Sequence, residues 1–458
     1  MKLTIDNLKI ILLITGILIA GIFFSLFFPE YFLPFLTFLL LIFSLFFSKK
    51  IHGSFISPLG LFSLGWLVPA LFNFLYGFYD PFWRIKTPLT WTVILITWIL
   101  FFIAYFFTIM IFKRDSLKKP KEISWWGKKQ FKLILFFLFG VGFVFSLLNL
   151  WRVFGTLNLI AILPIYLTGF RVVEAMWAGN PILNYFFFLN GLTFILGLVY
   201  LFTYGKEKKI IGITFLSFLM MFLLPIKTHI IEPLVIVTII FLMLGFRPKL
   251  KHLVLGIIGI AVIFLLIDTG RALVEKNLTL EETSKILTIS FKKIPLYMVQ
   301  TYPNLEMELV HRDFTWGEAK GGLLTFGTTL DIAKYLFTGE RLIQRGEPGK
   351  SVFGEIRYNL VKEGYNIGTF LRESFLDWGI GALIFLPIVL GVISTLFYLF
   401  FLLKRDFLSL FLFSLICYVL LFAWWNLKLF EIRFLWWGAW MVLFYFLYRP
   451  IKKIQIKK

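Results

Sequence analysis

Long apolar stretches alternate with short polar ones along most of this chain. A helix rises about 1.5 Å per residue, so roughly 20 apolar residues cross the hydrocarbon core of a membrane. The pattern predicts an all-α polytopic membrane protein with about 12 transmembrane helices. The predicted spans are 9–28, 32–48, 55–76, 88–112, 131–150, 181–204, 209–226, 229–246, 252–268, 378–402, 406–422 and 432–448.

Polar residues divide the chain into three parts. Residues 1–268 hold the first nine predicted helices with short loops, and residues 378–458 hold the last three with a basic tail. Between them, residues 269–377 contain fourteen Lys or Arg and fourteen Asp or Glu. A structureless segment of this length is uncommon in an ordered protein, so we expect a large, mostly helical loop domain. Its candidate helices are 281–300, 304–312 and 328–344.

The net charge of +21 is distributed unevenly. In a soluble protein such an excess would indicate nucleic acid, but here the basic residues collect in alternate loops, including 113–132 and the tail 449–458. The positive-inside rule therefore predicts that both termini are cytoplasmic and that 269–377 is extracytoplasmic, in a protein of the cytoplasmic membrane. We expect membrane lipids as partners, because basic ends suit anionic headgroups, and no nucleic acid.

Signatures of cofactor chemistry are weak. The four histidines are scattered, and no pair has the spacing of metal ligands. "QRGEPGKS", residues 344–351, ends like a phosphate-binding loop but lacks its first glycine. The single Cys417 excludes an intrachain disulfide. The sequence predicts neither a metal nor a cofactor.

Cationic residues recur where predicted helices reach the extracytoplasmic face. A guanidinium group binds two phosphate oxygens at once and keeps its charge near lipid, so converging arginines would form a seat for a lipid diphosphate. Ordinary ion pairs are the alternative, for example of Arg171 with Glu174 or of Arg271 with Glu275. The cations at this depth are Arg171, Lys227, Arg271, Arg341, Arg345 and Arg372.

The stretch "NIGTFLRESFLDWG", residues 366–379, carries further candidates. On a helix Glu373 and Asp377 would stand one turn apart and repel each other, whereas Arg372 has no acid on its own face. We expect Asp377 to cap the N-terminus of the next span. Glu373 is expected either to pair with a cation such as Arg171 or to act as a base on a sugar hydroxyl.

This region resembles the oligosaccharide repeat-unit polymerases, the Wzy-type O-antigen polymerase family. The likeness rests partly on the topology: many spans, a cytoplasmic N-terminus and one large outer loop late in the chain. It also rests on the stretches "NIGTFLRESFLDWGIGALIFLPIVLGVI" and "PIKTHIIEPLVIVTII". In the second stretch Lys227 stands where the family more usually has arginine, and lysine cannot bind a diphosphate in two places at once. The matching residues of the first stretch are Asn366, Thr369, Asp377, Trp378, Gly379 and Gly381.

The resemblance implies the membrane-embedded glycosyltransferase C-type fold of O-antigen ligases and polymerases. It implies metal-independent transfer of a glycan from polyprenyl diphosphate to a hydroxyl of another lipid-linked repeat unit, on the extracytoplasmic face. Arg171 and Arg372 would clamp the diphosphate and Glu373 would be the base. The partners would be the lipid-linked donor and acceptor, together with a flippase and a chain-length regulator. The supporting substrate-binding residues would be Lys227, Arg271, Arg341, Arg345, Tyr365, Asn366, Thr369 and Asp377.

Two alternatives stay open at this stage. A ligase that transfers a lipid-linked glycan shares the architecture, and a flippase or transporter suits twelve spans. A two-half transporter would have duplicated halves and charges buried in the middle of spans, and the sequence indicates neither. Tyr302 and Tyr365 are expected to stack on sugar rings or to anchor at the membrane interface.

Overall fold

The computed structural model describes residues 29–112, 122–156, 181–222, 227–246, 298–311, 369–425, 432–448, 452–455 and a few isolated positions. Within these ranges the chain is almost entirely helical. The helices are α1 (Pro29–His52), α2 (Pro58–Tyr76), α3 (Pro88–Ile111), α4 (Lys128–Phe154), α5 (Pro181–Phe187), α6 (Leu189–Tyr204), α7 (Lys208–Met221), α8 (Lys227–Met243), α9 (Thr301–His311), α10 (Phe370–Trp378), α11 (Ile380–Lys404), α12 (Phe407–Leu421) and α13 (Ile432–Leu447), and the strands are β1 (Glu122–Trp125) and β2 (Lys452–Gln455).

The predicted apolar stretches fold as these helices. Among the described residues, six helical segments are long and apolar enough to cross a membrane, and α8, α12 and α13 are shorter apolar helices. The chain is therefore a helical, multi-pass membrane protein. The predicted spans 9–28 and 252–268 lie outside the described residues, apart from isolated positions. The six long segments are α1, α2, α3, α4, α5 with α6, and α11.

Glycines allow the helices of the bundle to pack closely. A Cβ atom at Gly65 on α2 would overlap the backbone of Leu420 and Leu421 at the end of α12, and one at Gly391 on α11 would lie 2.9 Å from Ala104 Cβ on α3. In a membrane the lipid chains are as apolar as the side chains, so helices associate largely through close packing, which small residues allow.

A small two-stranded sheet lies at one end of the bundle, in a fold that is otherwise helical as expected. Strands β1 and β2 pair antiparallel, with Glu122 opposite Gln455. β1 also donates a hydrogen bond from Ser124 N to Arg405 O, at 2.8 Å. Two side chains of β1, Ile123 and Trp125, are fully buried. Four residues with alternating burial are too few for a period-two pattern to be visible in the sequence.

The loop between α6 and α7 joins the same end. Glu207 forms a 2.6 Å ion pair with Lys132 and accepts a 3.0 Å hydrogen bond from Tyr200. The hydrogen bond from Lys132 is the main reason why the pKa of the Glu207 carboxyl is lowered. β1 of the predicted cytoplasmic linker, the Glu207 loop, the Arg405 loop and β2 of the tail therefore lie together, as expected if they share one side of a membrane.

The predicted span 181–204 is interrupted, because Phe188 separates α5 from α6. The carbonyl of Phe188 accepts hydrogen bonds from Trp437 Nε1, at 2.8 Å, and from the backbone of Gly191, at 3.1 Å. A continuous helix would use that carbonyl within its own ladder. The hydrogen bond from Trp437 thus connects the junction between α5 and α6 to α13.

Part of the predicted loop domain packs on the bundle. Helix α9 corresponds to the predicted helix 304–312, whereas 281–300 and 328–344 lie outside the described residues apart from 298–300 and isolated positions. Glu306 of α9 accepts hydrogen bonds from the backbone of Lys86 and Thr87, at 2.9 and 2.5 Å, just before α3 begins. The loop segment therefore supplies the cap of a membrane helix.

Candidate functional site

A buried ion pair connects α8 to α13. Arg433 Nη1 lies 2.7 Å from Glu232 Oε2, and Arg433 Nη2 donates to Glu232 Oε1 at 3.2 Å. Tyr418 on α12 donates its hydroxyl to the same carboxylate at 3.4 Å. Glu232 is fully buried and Arg433 is 5% exposed. Three helices thus meet at one carboxylate.

The sequence analysis missed this pair. A charge in an apolar environment is expensive unless it is paired, and Glu232 and Arg433 satisfy each other in a two-point contact. Each is an isolated ionisable residue in an apolar run, "HIIEPLVIV" and "IRFLWW", which is a signal of function in a membrane protein. Both residues lie in the first two turns of their helices, so they do not contradict the expectation that no charge is buried in the middle of a span.

A narrow cleft of about 10 Å³, room for about one water molecule, lies beside the pair. Its position is set by the break at Phe188 and by Gly191, where a Cβ would lie 2.7 Å from Trp437 Cζ2. Two of its lining residues, His229 and Arg433, bring nitrogen donors to otherwise apolar walls. The lining residues are Phe187, Phe188, Gly191, Met221, His229, Arg433 and Trp437.

Aromatic rings fix both nitrogen-bearing side chains. The Arg433 guanidinium lies over the ring of Phe188, 5.4 Å from its centroid. His229 is 7% exposed and meets the same ring edge to face, at 5.0 Å between centroids. His229, Glu232 and Arg433 all lie in the first two turns of their helices, at the ends that the sequence predicts to be extracytoplasmic. The cleft is thus lined by a guanidinium and an imidazole whose positions are fixed by the same aromatic ring.

The stretch 366–379 is only partly described. Thr369 is buried at the N-cap position of α10, but its side chain does not cap the helix. Arg372 and Glu373 lie within α10, and their side chains are outside the described part of the structure. The α10 helix does place residues 373 and 377 one turn apart, as expected.

Asp377 does not cap the following span, which corrects the prediction. It is fully buried in the last turn of α10, and the N-cap position of α11 belongs to Gly379, with φ of +57°. The chain turns sharply at this glycine, so the helix that enters the membrane begins two residues later than a cap at Asp377 requires.

The convergence of the predicted cations stays a prediction. Lys227 is the first residue of α8, and its side chain is outside the described residues. The expected role of Tyr302 in sugar stacking is wrong, because this residue is fully buried and donates its hydroxyl to Trp66 O. The candidates that fall entirely outside the described residues are Arg171, Arg271, Arg341, Arg345, Tyr365 and Asn366.

The end of α12 connects the two candidate regions. Tyr418 reaches the ion pair, and Ala423, shortly after α12, accepts a 2.9 Å hydrogen bond from Phe370 N at the start of α10. Only four residues therefore separate Tyr418, which contacts Glu232, from Ala423, which contacts the stretch that carries Arg372. The two regions are attached to one short piece of backbone.

The fold and the site together define a helical, multi-pass membrane protein with a buried ion pair at the edge of a cleft. In the described part of the chain, no group of three or more His, Cys, Asp or Glu side chains is arranged to hold a metal ion. The chain matches no protein-family model, no curated protein and no solved structure.

Proposed function

We propose that this protein is a membrane glycosyltransferase that polymerises polyprenyl-diphosphate-linked oligosaccharide repeat units on the extracytoplasmic face. The observation that carries the proposal is the cleft with Arg433 and His229 at helix ends predicted to be extracytoplasmic. The resemblance in 366–381 supports it. The proposed architecture has about 12 spans in the C-type glycosyltransferase arrangement.

The chemistry needs only positioning and charge. A diphosphate on the anomeric carbon is already activated, so the protein has to hold two lipid-linked substrates, stabilise the departing negative charge and accept one hydroxyl proton. Arg171 and Arg372 are proposed to bind the diphosphate, and Glu373 to take the proton. α10, anchored through Phe370 to the end of α12, would carry two of these groups toward the cleft.

A flippase for the same lipid-linked oligosaccharide is the second candidate. The Glu232–Arg433 pair favours it, since ionisable residues buried among membrane helices commonly mark transport pathways. A ligase that makes one transfer to a different acceptor uses the same chemistry as the polymerase and differs only in the acceptor.

The test is a reconstitution with purified protein. A polyprenyl-diphosphate oligosaccharide is supplied alone, without nucleotide sugar, and products are separated on a gel. A ladder is expected. One transfer to another acceptor would indicate a ligase, and lipid movement across the bilayer without new bonds would indicate a flippase.

One substitution makes the test residue-specific. Arg372→Lys is expected to abolish the ladder, because lysine keeps the charge but not the two-point contact with phosphate. Lys404→Arg, at the opposite end of α11, is the matched control and should leave the ladder unchanged. A full ladder from Arg372→Lys would remove Arg372 from the site.

A further inference from the structure

Strand β1 makes contacts along both of its edges, whereas β2 pairs along one. On one side β1 meets β2, with Ser124 opposite Lys453. On the other side Ser124 N donates to Arg405 O at 2.8 Å, and Ser124 forms a parallel bridge with Asp406. Among the described residues, no strand pairs with the other edge of β2. Within that part of the chain the sheet is therefore open along β2.

The hydrogen bond from Ser124 determines which backbone groups of β2 face the open edge. Opposite residues of an antiparallel pair either exchange both backbone hydrogen bonds or point their N–H and C=O groups away from each other, in alternation. Ser124 N is directed to Arg405 and away from β2, so Ser124 and Lys453 form a pair of the second kind. Glu122 and Gln455, two residues along, form another. The backbone N–H and C=O groups of Lys453 and Gln455 therefore point outward.

Outward backbone groups on a strand edge are a template for another strand. Proteins use such edges to bind extended peptides, whose main chain supplies affinity while alternate side chains supply specificity. The outward groups of Lys453 and Gln455 are two residues apart, which is the spacing at which a partner strand exchanges backbone hydrogen bonds. The backbone of β2 thus has the arrangement that strand docking requires.

The sequence around β2 selects the charge of the partner. Residues 449–458 contain five Lys or Arg and no Asp or Glu. A second copy of the same edge would place cations opposite cations, which destabilises a strand pair, whereas opposite charges across the pair stabilise it. Lysines on an edge strand also discourage pairing with apolar strands. The edge therefore favours a strand that carries acidic residues.

We propose that the open edge of β2 docks an acidic, extended segment of a partner protein. The predicted orientation places β2 on the cytoplasmic side, so the partner is a cytoplasmic protein or domain. The other strand of the sheet is attached to the bundle, because Ile123 and Trp125 are fully buried. A docked segment would therefore be held against the bundle itself.

The experiment uses the full chain in nanodiscs of neutral lipid and a fluorescent peptide of alternating glutamate and valine as the probe. Fluorescence anisotropy should show saturable binding. A peptide of alternating lysine and valine should bind at least about tenfold more weakly, because like charges would face each other across the strand pair. Equal binding of the two peptides would overturn the choice of an acidic partner.

A modified peptide separates backbone pairing from charge attraction. The acidic peptide with all its amide nitrogens methylated keeps every charge but donates no backbone hydrogen bond. It should bind at least about tenfold more weakly than the unmodified peptide, because the outward carbonyls of Lys453 and Gln455 lose their donors. Equal binding would mean that the tail attracts acids through charge alone, and the docking edge would be ruled out.

Two proline variants test the edge in the protein. Gln455→Pro removes an N–H that points outward, so the sheet should survive while binding of the acidic peptide falls at least about tenfold. Ile454→Pro removes an N–H directed to β1, so it should break the sheet as well. Hydrogen exchange at the amides of Ile123 and Trp125 reports on the sheet. Parent-like peptide binding in Gln455→Pro would contradict the proposal, and if that variant also loses the sheet, the methylated peptide decides on the unaltered protein.

Anionic lipid is the competing occupant of a basic tail. Nanodiscs that contain phosphatidylglycerol should still bind the acidic peptide, because lipid headgroups offer no strand to pair with β2. Loss of peptide binding in these nanodiscs would assign the tail to the membrane surface and overturn the proposal. Peptide binding is measured without glycan substrates, so its outcome is separate from that of the reconstitution with lipid-linked oligosaccharide.

Discussion

Glu306 shows how much one side chain of the loop domain does for the membrane bundle. Its carboxylate accepts hydrogen bonds from Lys86 N, Thr87 N and Thr87 Oγ1, the last at 2.7 Å. These groups immediately precede α3, whose first amides have no partners within the helix. A carboxylate at this end also meets the positive end of the helix dipole. Glu306 is therefore a cap contributed by a residue about 220 positions away.

Removal of this cap should weaken the protein measurably. We expect Glu306→Ala to lower the free energy of unfolding by about 1–2 kcal/mol, the range of strong N-caps. Glu306→Gln keeps an acceptor without the charge and should lose less. Thermal unfolding in detergent measures both variants. If Glu306→Ala were as stable as the parent, the contact between loop and helix would have no energetic weight.

Single residues also mark the limit of what the sequence could predict. Glu232 and Arg433 stand out as lone charges in apolar runs, but the 201 positions between them hide the pairing. Asp377 was expected at a helix end because it precedes an apolar run. In the structure α10 ends at Trp378 and α11 begins at Ile380, so Asp377 lies in the last turn of α10. The position of that boundary depends on tertiary packing, which the sequence pattern does not show.

At the scale of elements, the distance between α2 and α12 depends on one glycine. We expect Gly65→Ala to lower the free energy of unfolding by about 1–3 kcal/mol or more, because the added methyl group meets rigid backbone that cannot move aside. Gly140 on α4 is the matched control, since a Cβ there meets nothing within 4 Å. Gly140→Ala should be neutral or slightly stabilising. Equal unfolding temperatures for the two variants would contradict this packing.

Element positions were the most predictable feature. Hydrophobic runs long enough to span a membrane have few alternatives to a helix, so the predicted spans match described helices within a few residues wherever the structure describes them. The break at Phe188 was not predictable, because the apolar pattern continues across it. The carbonyl of Phe188 accepts a hydrogen bond from Trp437, a partner that only the assembled bundle supplies.

At the scale of the whole molecule, cysteine labelling can test on which side of the membrane each loop lies. The native Cys417 is fully buried, so it should contribute little background. We expect a membrane-impermeant thiol reagent added outside cells to label Tyr79→Cys, whose parent side chain is 79% exposed. Lys206→Cys and Lys404→Cys should label only after the membrane is opened. Labelling of Lys206→Cys from outside would reverse the proposed orientation.

Charge alone predicted which loops lie together, because alternate loops are basic and alternate loops of a multi-pass protein lie on the same side of the membrane. The sheet that binds them was not predictable, since β1 and β2 are four residues each and far apart in sequence. The sequence likewise shows which arginines are proposed to bind the diphosphate, but not the distances between them. Spatial convergence depends on loop geometry, and no periodic pattern encodes it.

The pairing of β1 with β2 also sets an order of events during synthesis. β1 leaves the ribosome about 330 residues before its partner, which follows every described helix. At roughly 5–20 residues per second, that interval is about 15–65 s. Until then Ile123 and Trp125 lack the strand that later lies beside them, and the basic linker is held only by earlier helices. The β1–β2 pairing therefore forms only after every described helix has been synthesised.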